Sequence, residues 1–235
     1  MIKKHIPNTI TCLNAFSGCL AIVAAMGGDY RLSALFVALA ALFDFLDGFA
    51  ARLLHVVSPT GKELDSLADT ISFSLAPSFV LFHFLSHSVA FCSEGSLWNV
   101  VLPYSAFLLA VFSILRLAKF NLDERQTSSF IGLATPADAI FWIFLLGWYG
   151  DTLSSVNGCW FLPLIAFFSF LMVSELPMFS LKFKSLRFSE HWVQWVFLAG
   201  CLVLLLTLGW GGLAFAILWY IWLSVGVRLF KHSAS

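Results

Sequence analysis

The stretch LSALFVALAALFDFLDGFAARLL, residues 32–54, decides what kind of molecule this is. As a helix rising 1.5 Å per residue it would be about 35 Å long, enough to cross the roughly 30 Å hydrocarbon layer of a bilayer. Its only charges are Asp44, Asp47 and Arg52. The rest of the chain is of the same kind. Its 235 residues are 60% hydrophobic and 11% charged, with 26 Phe and 9 Trp, whereas a soluble domain carries about 25% charged residues. Too little charge is available to coat a water-soluble core. A membrane β-barrel would alternate lipid-facing and lumen-facing side chains, yet runs such as Leu202 to Leu206 are apolar on every side. The expectation is an all-α, polytopic transmembrane helical bundle.

Working outward from residues 32–54, apolar stretches separated by short polar or Gly/Pro breaks predict eight spans, at 9–28, 32–54, 66–90, 98–120, 134–150, 158–177, 191–208 and 212–230. The longest polar connection, Asn121 to Pro136, is too short to fold alone. Of the thirteen Lys and Arg, Lys3, Lys4, Arg52, Lys62, Arg116, Lys119, Arg125, Lys182, Lys184, Arg187, Arg228 and Lys231 all fall on one side of this arrangement, leaving only Arg31 on the other. By the positive-inside rule both termini are cytosolic, in an inner, cytoplasmic membrane. The apolar run that follows Lys3 and Lys4 is long for a cleaved signal, and it leads straight into further spans, so it is read as the first helix. The net charge is zero and the basic residues are dispersed, which excludes a nucleic-acid partner. Cys12, Cys19, Cys92, Cys159 and Cys201 form no CxxC pair, so neither a disulfide framework nor a zinc site is expected.

An acid inside a membrane span costs about 2.5–3.5 kcal/mol at the bilayer centre on insertion scales, so it asks for a function. Four occur together. Asp44 and Asp47 are spaced i, i+3 on the second span, and Asp65 and Asp69 are spaced i, i+4 at the start of the third. Each pair therefore shares a helix face. Counted from Arg52 and Lys62, the acids lie about 5–12 Å inward, at matching depths on antiparallel neighbours. Four carboxylates this close cannot all stay charged without cations, and two divalent ions would balance them. Oxygen-only ligation suits Mg²⁺ or Mn²⁺, with Ca²⁺ also compatible, and a Mg²⁺ held by few carboxylates completes its shell with water and phosphate oxygens. Beside the acids are Gly48, Ala51, Arg52, a turn at Ser58 to Gly61, and Lys62. Gly48 and Ala51 either admit a ligand close to the backbone or let helices pack closely. Arg52 is placed to pair with a phosphate.

The set Asp44-x2-Asp47-Gly48-x2-Ala51-Arg52-x8-Gly61-x3-Asp65-x3-Asp69 resembles, at every fixed position, the signature of the CDP-alcohol phosphotransferase family of integral membrane enzymes. The resemblance implies that an acceptor hydroxyl displaces CMP from a CDP-linked substrate, with two metal ions at the four aspartates. It also implies that Gly48, Ala51 and Gly61 shape the nucleotide site, that Arg52 assists the phosphates, and that Asp69 is the base on the acceptor. A homodimer is implied as well.

Further stretches resemble family members whose donor is CDP-diacylglycerol and whose acceptor is L-serine: residues 6–11, 66–77, 115–121 and 130–136. That similarity spans roughly residues 6–180. It divides the chain into a six-helix core, 1–180, and a C-terminal pair of helices, 181–235. Ser74 and Lys119 depart from the family pattern, and both touch acceptor binding rather than reaction type. Arg116 and Lys119, spaced i, i+3 and followed by Asn121, could hold a lipid phosphate or the serine carboxylate, or could simply mark a helix entering the cytosol. Asn8 and Thr9 either contact the nucleotide or cap the first helix. Glu175, near the cytosolic end of the sixth span, is either structural or orients an acceptor, and His83 and His87, at the outer end of the third span, lack a third ligand. The alternatives are the same chemistry with a phosphorylated polyol acceptor, and a divalent-cation transporter using the same acids.

Overall fold

The computed structural model describes residues 5–56, 59–92, 95–122, 130–179 and 192–233. Among these the expected spans appear as eight helical rods. The first two are α1 (His5–Met26) and α2 (Tyr30–Leu53). The third runs through α3 (Pro59–Asp69), one turn of π-helix (Thr70–Leu75) and α4 (Ala76–His87). The fourth is α5 (Trp98–Val101), a 3₁₀ stretch at Pro103 and α6 (Phe107–Leu122). Then follow α7 (Thr135–Leu153), α8 (Phe161–Val173), α9 (Trp192–Leu208) and α10 (Gly212–Ser233). The sole sheet among the described residues is a two-residue antiparallel contact of β1 (Phe130–Ile131) with β2 (Pro177–Met178). Five segments are long and apolar enough to cross a membrane, and the molecule is an all-α polytopic membrane bundle. The flanking basic residues Lys3, Lys4, Arg125, Lys182, Lys184 and Arg187, the side chain of Lys231, and Ser58 lie outside the described residues.

Two boundaries correct the sequence reading. The third rod starts at Pro59 rather than 66, so Gly61 and Lys62 belong to its first turn and not to a loop. Proline suits that position, where its missing N–H would have had no helical partner. The sixth rod stops at Val173 rather than 177, because Pro177 pairs with Ile131 and pulls the chain out of the helix.

Without water there is no hydrophobic drive between helices, so close packing of small residues must supply the cohesion. Helix α1 buries Ser17, Gly18, Ala21, Ala24 and Ala25, and α2 answers with Ser33, Ala34, Val37 and Ala40. The hydroxyl of Ser33 donates to the Ala21 carbonyl across that contact at 2.9 Å. Helix α7 falls short of the apolarity of a lipid-facing span, and its position explains why. It packs against α2, α4 and α10, with Trp142, Ile143 and Leu146 fully enclosed. Outward-facing Phe16, Val23, Phe170 and Leu206 present the apolar surface instead. The apolar segment 192–228 would be about 55 Å long as one helix, well beyond a bilayer core. Gly209, at φ +60°, lets it fold back, and α10 packs against both α9 and α7.

Candidate active site

The α2–α3 hairpin brings three of the four expected acids together. Asp44, Asp47 and Asp65 each offer a carboxylate oxygen, and these oxygens all lie within 4.8 Å of one another. Asp65 Oδ1 is buried and has no hydrogen-bond partner among the described residues. A buried carboxylate oxygen without a donor is costly unless something cationic completes it, and this donor set consists only of hard oxygens. The residues therefore fit a divalent cation such as Mg²⁺ or Mn²⁺. Asp69 stands outside the triad, one turn deeper on α3, within electrostatic range of all three.

Asp47 and Asp65 of the triad line a cleft of about 520 Å³. Helix α1 contributes Pro7, Asn8 and Thr11 to its wall, and α2 contributes Gly48, Ala51 and Arg52 beside Asp47. Gly61 and Lys62 close it from the first turn of α3. A Cβ added to Gly48 would meet nothing within 4 Å among the described residues, and this glycine faces the cleft. Arg52 Nε donates to the Gly48 carbonyl at 2.9 Å, which holds the guanidinium against the wall. Lys62 Nζ donates to the Asn121 carbonyl at 3.3 Å, and Asn121 Nδ2 donates to Ser66 Oγ at 2.8 Å, so the end of α6 is tied to α3 beside the cleft. A second hollow, of about 530 Å³, shares Arg52 and His55 with the cleft and is walled by Phe45, Phe49 and Leu53. His55, left-handed at φ +52°, stands just past the end of α2.

Three expected contact residues lie elsewhere. Thr9 is exposed and its hydroxyl donates to the His5 carbonyl, while Asn8 beside it lines the cleft. Lys119 forms an ion pair with Glu175 at 3.7 Å, both side chains being largely open to the surroundings. Arg116 is buried behind the cleft. Its Nη1 donates to Thr135 Oγ1 at 3.1 Å, its guanidinium lies over the Phe120 ring, and it interacts electrostatically with Asp69.

Other polar groups escaped the sequence reading. Thr11 Oγ1 donates to Asp47 Oδ2 at 2.6 Å, and Asn14 Nδ2 donates to Asp69 Oδ1 at 3.3 Å. The signal was present as two polar residues spaced i, i+3 on one face of the first helix. Asp138 is a fifth acid inside the bundle, buried in the first turn of α7 and receiving Trp142 Nε1 at 3.2 Å. A helix N-terminus is a favourable place for it. At the far end of the third rod the His83 and His87 rings stack at 4.2 Å, and His83 Nδ1 meets Tyr30 OH at 3.0 Å.

The family model described as CDP-alcohol phosphatidyltransferase matches residues 4–227, reaching into the last two helices. The chain is 34% identical over 192 residues to the CDP-diacylglycerol–serine O-phosphatidyltransferase of Bacillus subtilis, a match covering 80% of this chain and 93% of that protein. It is 34% identical over 190 residues to the protein of that name in Mycobacterium bovis, covering 74% of this chain and 60% of the longer relative. An archaetidylserine synthase of Methanothermobacter thermautotrophicus is 35% identical over 150 residues, which is 62% of this chain and 60% of that protein.

Proposed function

The chain belongs to the CDP-alcohol phosphatidyltransferase family, and from that premise we propose that it makes phosphatidylserine, transferring the phosphatidyl group of CDP-diacylglycerol to the hydroxyl of L-serine and releasing CMP. The observation that carries the reading is the convergence of Asp44, Asp47 and Asp65 beside a cleft that Gly48 leaves open.

Asp44, Asp47 and Asp65, with Asp69 one turn away, would hold two divalent cations. Such ions neutralise the diphosphate and make CMP a better leaving group. The protein's own part is positional. Asn8, Gly48, Ala51 and Gly61 bound the space for the cytidine nucleotide, and Arg52 and Lys62 stand at the wall where its phosphates lie. The apolar hollow beside Phe45, Phe49 and Leu53 takes the lipid end of the donor, so Arg52 stands at the junction between head and tail. The serine Oγ forms the new bond to the phosphatidyl phosphorus as the bond from that phosphorus to the bridging oxygen breaks, and CMP departs with that oxygen. Asp69 accepts the hydroxyl proton. Arg116, buried behind Asp69, supplies positive charge to the back of that carboxylate and not a substrate contact, and Asn121 keeps Lys62 and α3 in register.

The cleft faces the cytosol from an inner membrane, with both termini cytosolic, in agreement with the distribution of Lys and Arg. The protein acts as a homodimer, with residues 1–180 as catalytic core and 181–235 as an added helical pair.

The test is an acceptor panel. Purified protein in detergent is given CDP-diacylglycerol and Mg²⁺ or Mn²⁺, with serine, glycerol 3-phosphate or inositol phosphate. CMP release with serine alone is expected, and Asp69→Asn should abolish it. Release with a phosphorylated polyol instead would overturn the acceptor, and metal flux across vesicles without CMP release would favour the transporter.

A further inference from the structure

Helix α1 carries none of the four acids, yet it touches one from each pair. Thr11 and Asn14 are three residues apart and so share a face. Thr11 reaches Asp47 of α2, and Asn14 reaches Asp69 of α3. Both residues are enclosed, at 3% and 0% exposure, too deep to be chance surface contacts.

The donors can be assigned from the local chemistry. Thr11 Oγ1 lies 2.6 Å from Asp47 Oδ2 and 3.1 Å from the Pro7 carbonyl. It has one proton, and the shorter contact has the length of a hydroxyl donating to a carboxylate. Ser72 Oγ lies 2.6 Å from Asn14 Oδ1 and 3.0 Å from the Asn14 carbonyl. With Oδ1 accepting from Ser72, the amide N–H₂ is the side that faces Asp69. The reversed amide would set its oxygen against a carboxylate oxygen. Ser72 is delivered by the π turn that follows Asp69, and Gly18 makes room for it. A Cβ at Gly18 would sit 2.6 Å from Ser72 Oγ and 2.8 Å from its Cα. A π turn in a helix is frequently a functional feature.

We infer that α1 is the positioning element of this centre: Thr11 presets the Asp47 carboxylate for a divalent cation, and Asn14, locked by Ser72, aims Asp69 at the acceptor hydroxyl. Each donor occupies one carboxylate oxygen and leaves the other for ligand or substrate. Thr11 takes Oδ2 of Asp47, and Asn14 takes Oδ1 of Asp69. With Oδ1 of Asp69 engaged by Asn14, that carboxylate meets cation or acceptor through Oδ2. The inference rests on the reaction proposed above.

Mn²⁺ binding to the purified full-length protein, followed by the loss of the free-ion electron paramagnetic resonance signal, reads the Thr11 half without any turnover. Thr11→Val should raise the Mn²⁺ dissociation constant by about 10–100-fold, as removal of a hydrogen bond to a ligand typically does, and Thr11→Ser should bring it back within about threefold. Asn14→Leu should lower kcat for serine-dependent CMP release by about 10–100-fold while the KM for CDP-diacylglycerol and the Mn²⁺ affinity stay within about twofold. Ser72→Ala removes only a hydroxyl, and should reproduce the kcat loss if Asn14→Leu proves unfoldable.

Equal Mn²⁺ affinity in Thr11→Val and the parent would overturn the inference. So would Thr11→Ser binding as weakly as Thr11→Val, or a kcat unmoved by both Asn14→Leu and Ser72→Ala. Asp69→Asn separates the two levels. If it still turns over serine, the reaction scheme fails. If it is dead while Asn14→Leu and Ser72→Ala stay fast, only the role of α1 fails.

Discussion

Two helical hairpins of this molecule, α2–α3 and α9–α10, place a helical glycine in opposite settings. In α9–α10, Gly200 and Gly212 are packed at the helix contacts, while the turn residue Gly209 and Gly226 are open among the described residues. A Cβ on Gly200 would meet Trp219 Nε1 at 2.3 Å, and one on Gly212 would meet the Leu204 carbonyl at 2.4 Å. In α2–α3, Gly48 faces the cleft, whose wall also carries Asp47, Asp65, Arg52 and Lys62. One hairpin uses small residues to bring helices together, and the other uses one to leave room for a ligand. A glycine in an apolar helix thus takes its meaning from what stands opposite it.

The largest effect that could break this contrast is a charge deletion in α2–α3. Asp65→Asn should lower CMP release by about 10³-fold or more, on the several-kcal/mol scale of charge stabilisation by bound cations, with the helical content unchanged by circular dichroism. The glycines sharpen the contrast by exchange of phenotypes. Gly48→Leu should raise the KM for the CDP-linked donor by about tenfold, one decade being about 1.4 kcal/mol, and leave thermal unfolding in detergent unmoved. Gly200→Leu should do the reverse, costing about 1–3 kcal/mol of stability by overpacking while activity per folded molecule persists. If both glycines gave the same phenotype, the distinction would collapse. The smallest effect belongs to Lys119. Its open ion pair with Glu175 is of a kind worth about 0–1 kcal/mol, so Lys119→Ala should change serine KM by less than about threefold.

The reach of the sequence follows the same division. The eight rods were legible because a bilayer demands long apolar segments whatever packs beside them. The acids of α2–α3, together with Gly48, Ala51, Arg52, Gly61 and Lys62, were legible because chemistry ties particular residue types to particular helical spacings, and all of these except Asp44 and Asp69 reach the wall of the cleft. Residues whose role depends on a partner from another rod were harder to read. Thr11 and Asn14 look like tolerated polar interruptions of an apolar helix until α2 and α3 are placed against it. The π turn at Thr70–Leu75 has no local signal. It is held by Ser72 against α1 and by Ser74, whose hydroxyl meets that of Ser113 on α6 at 2.6 Å. Thr9 and Lys119 carry the expected chemistry but engage the His5 carbonyl and Glu175 instead of the cleft.

The account depends on the α2–α3 acids holding divalent cations together. Anomalous diffraction from crystals grown with Mn²⁺ tests this most directly. The prediction is density bounded by Asp44, Asp47 and Asp65, lost in an Asp47→Asn, Asp65→Asn double variant that still crystallises. Anomalous peaks elsewhere on the molecule, with none between these carboxylates, would contradict it.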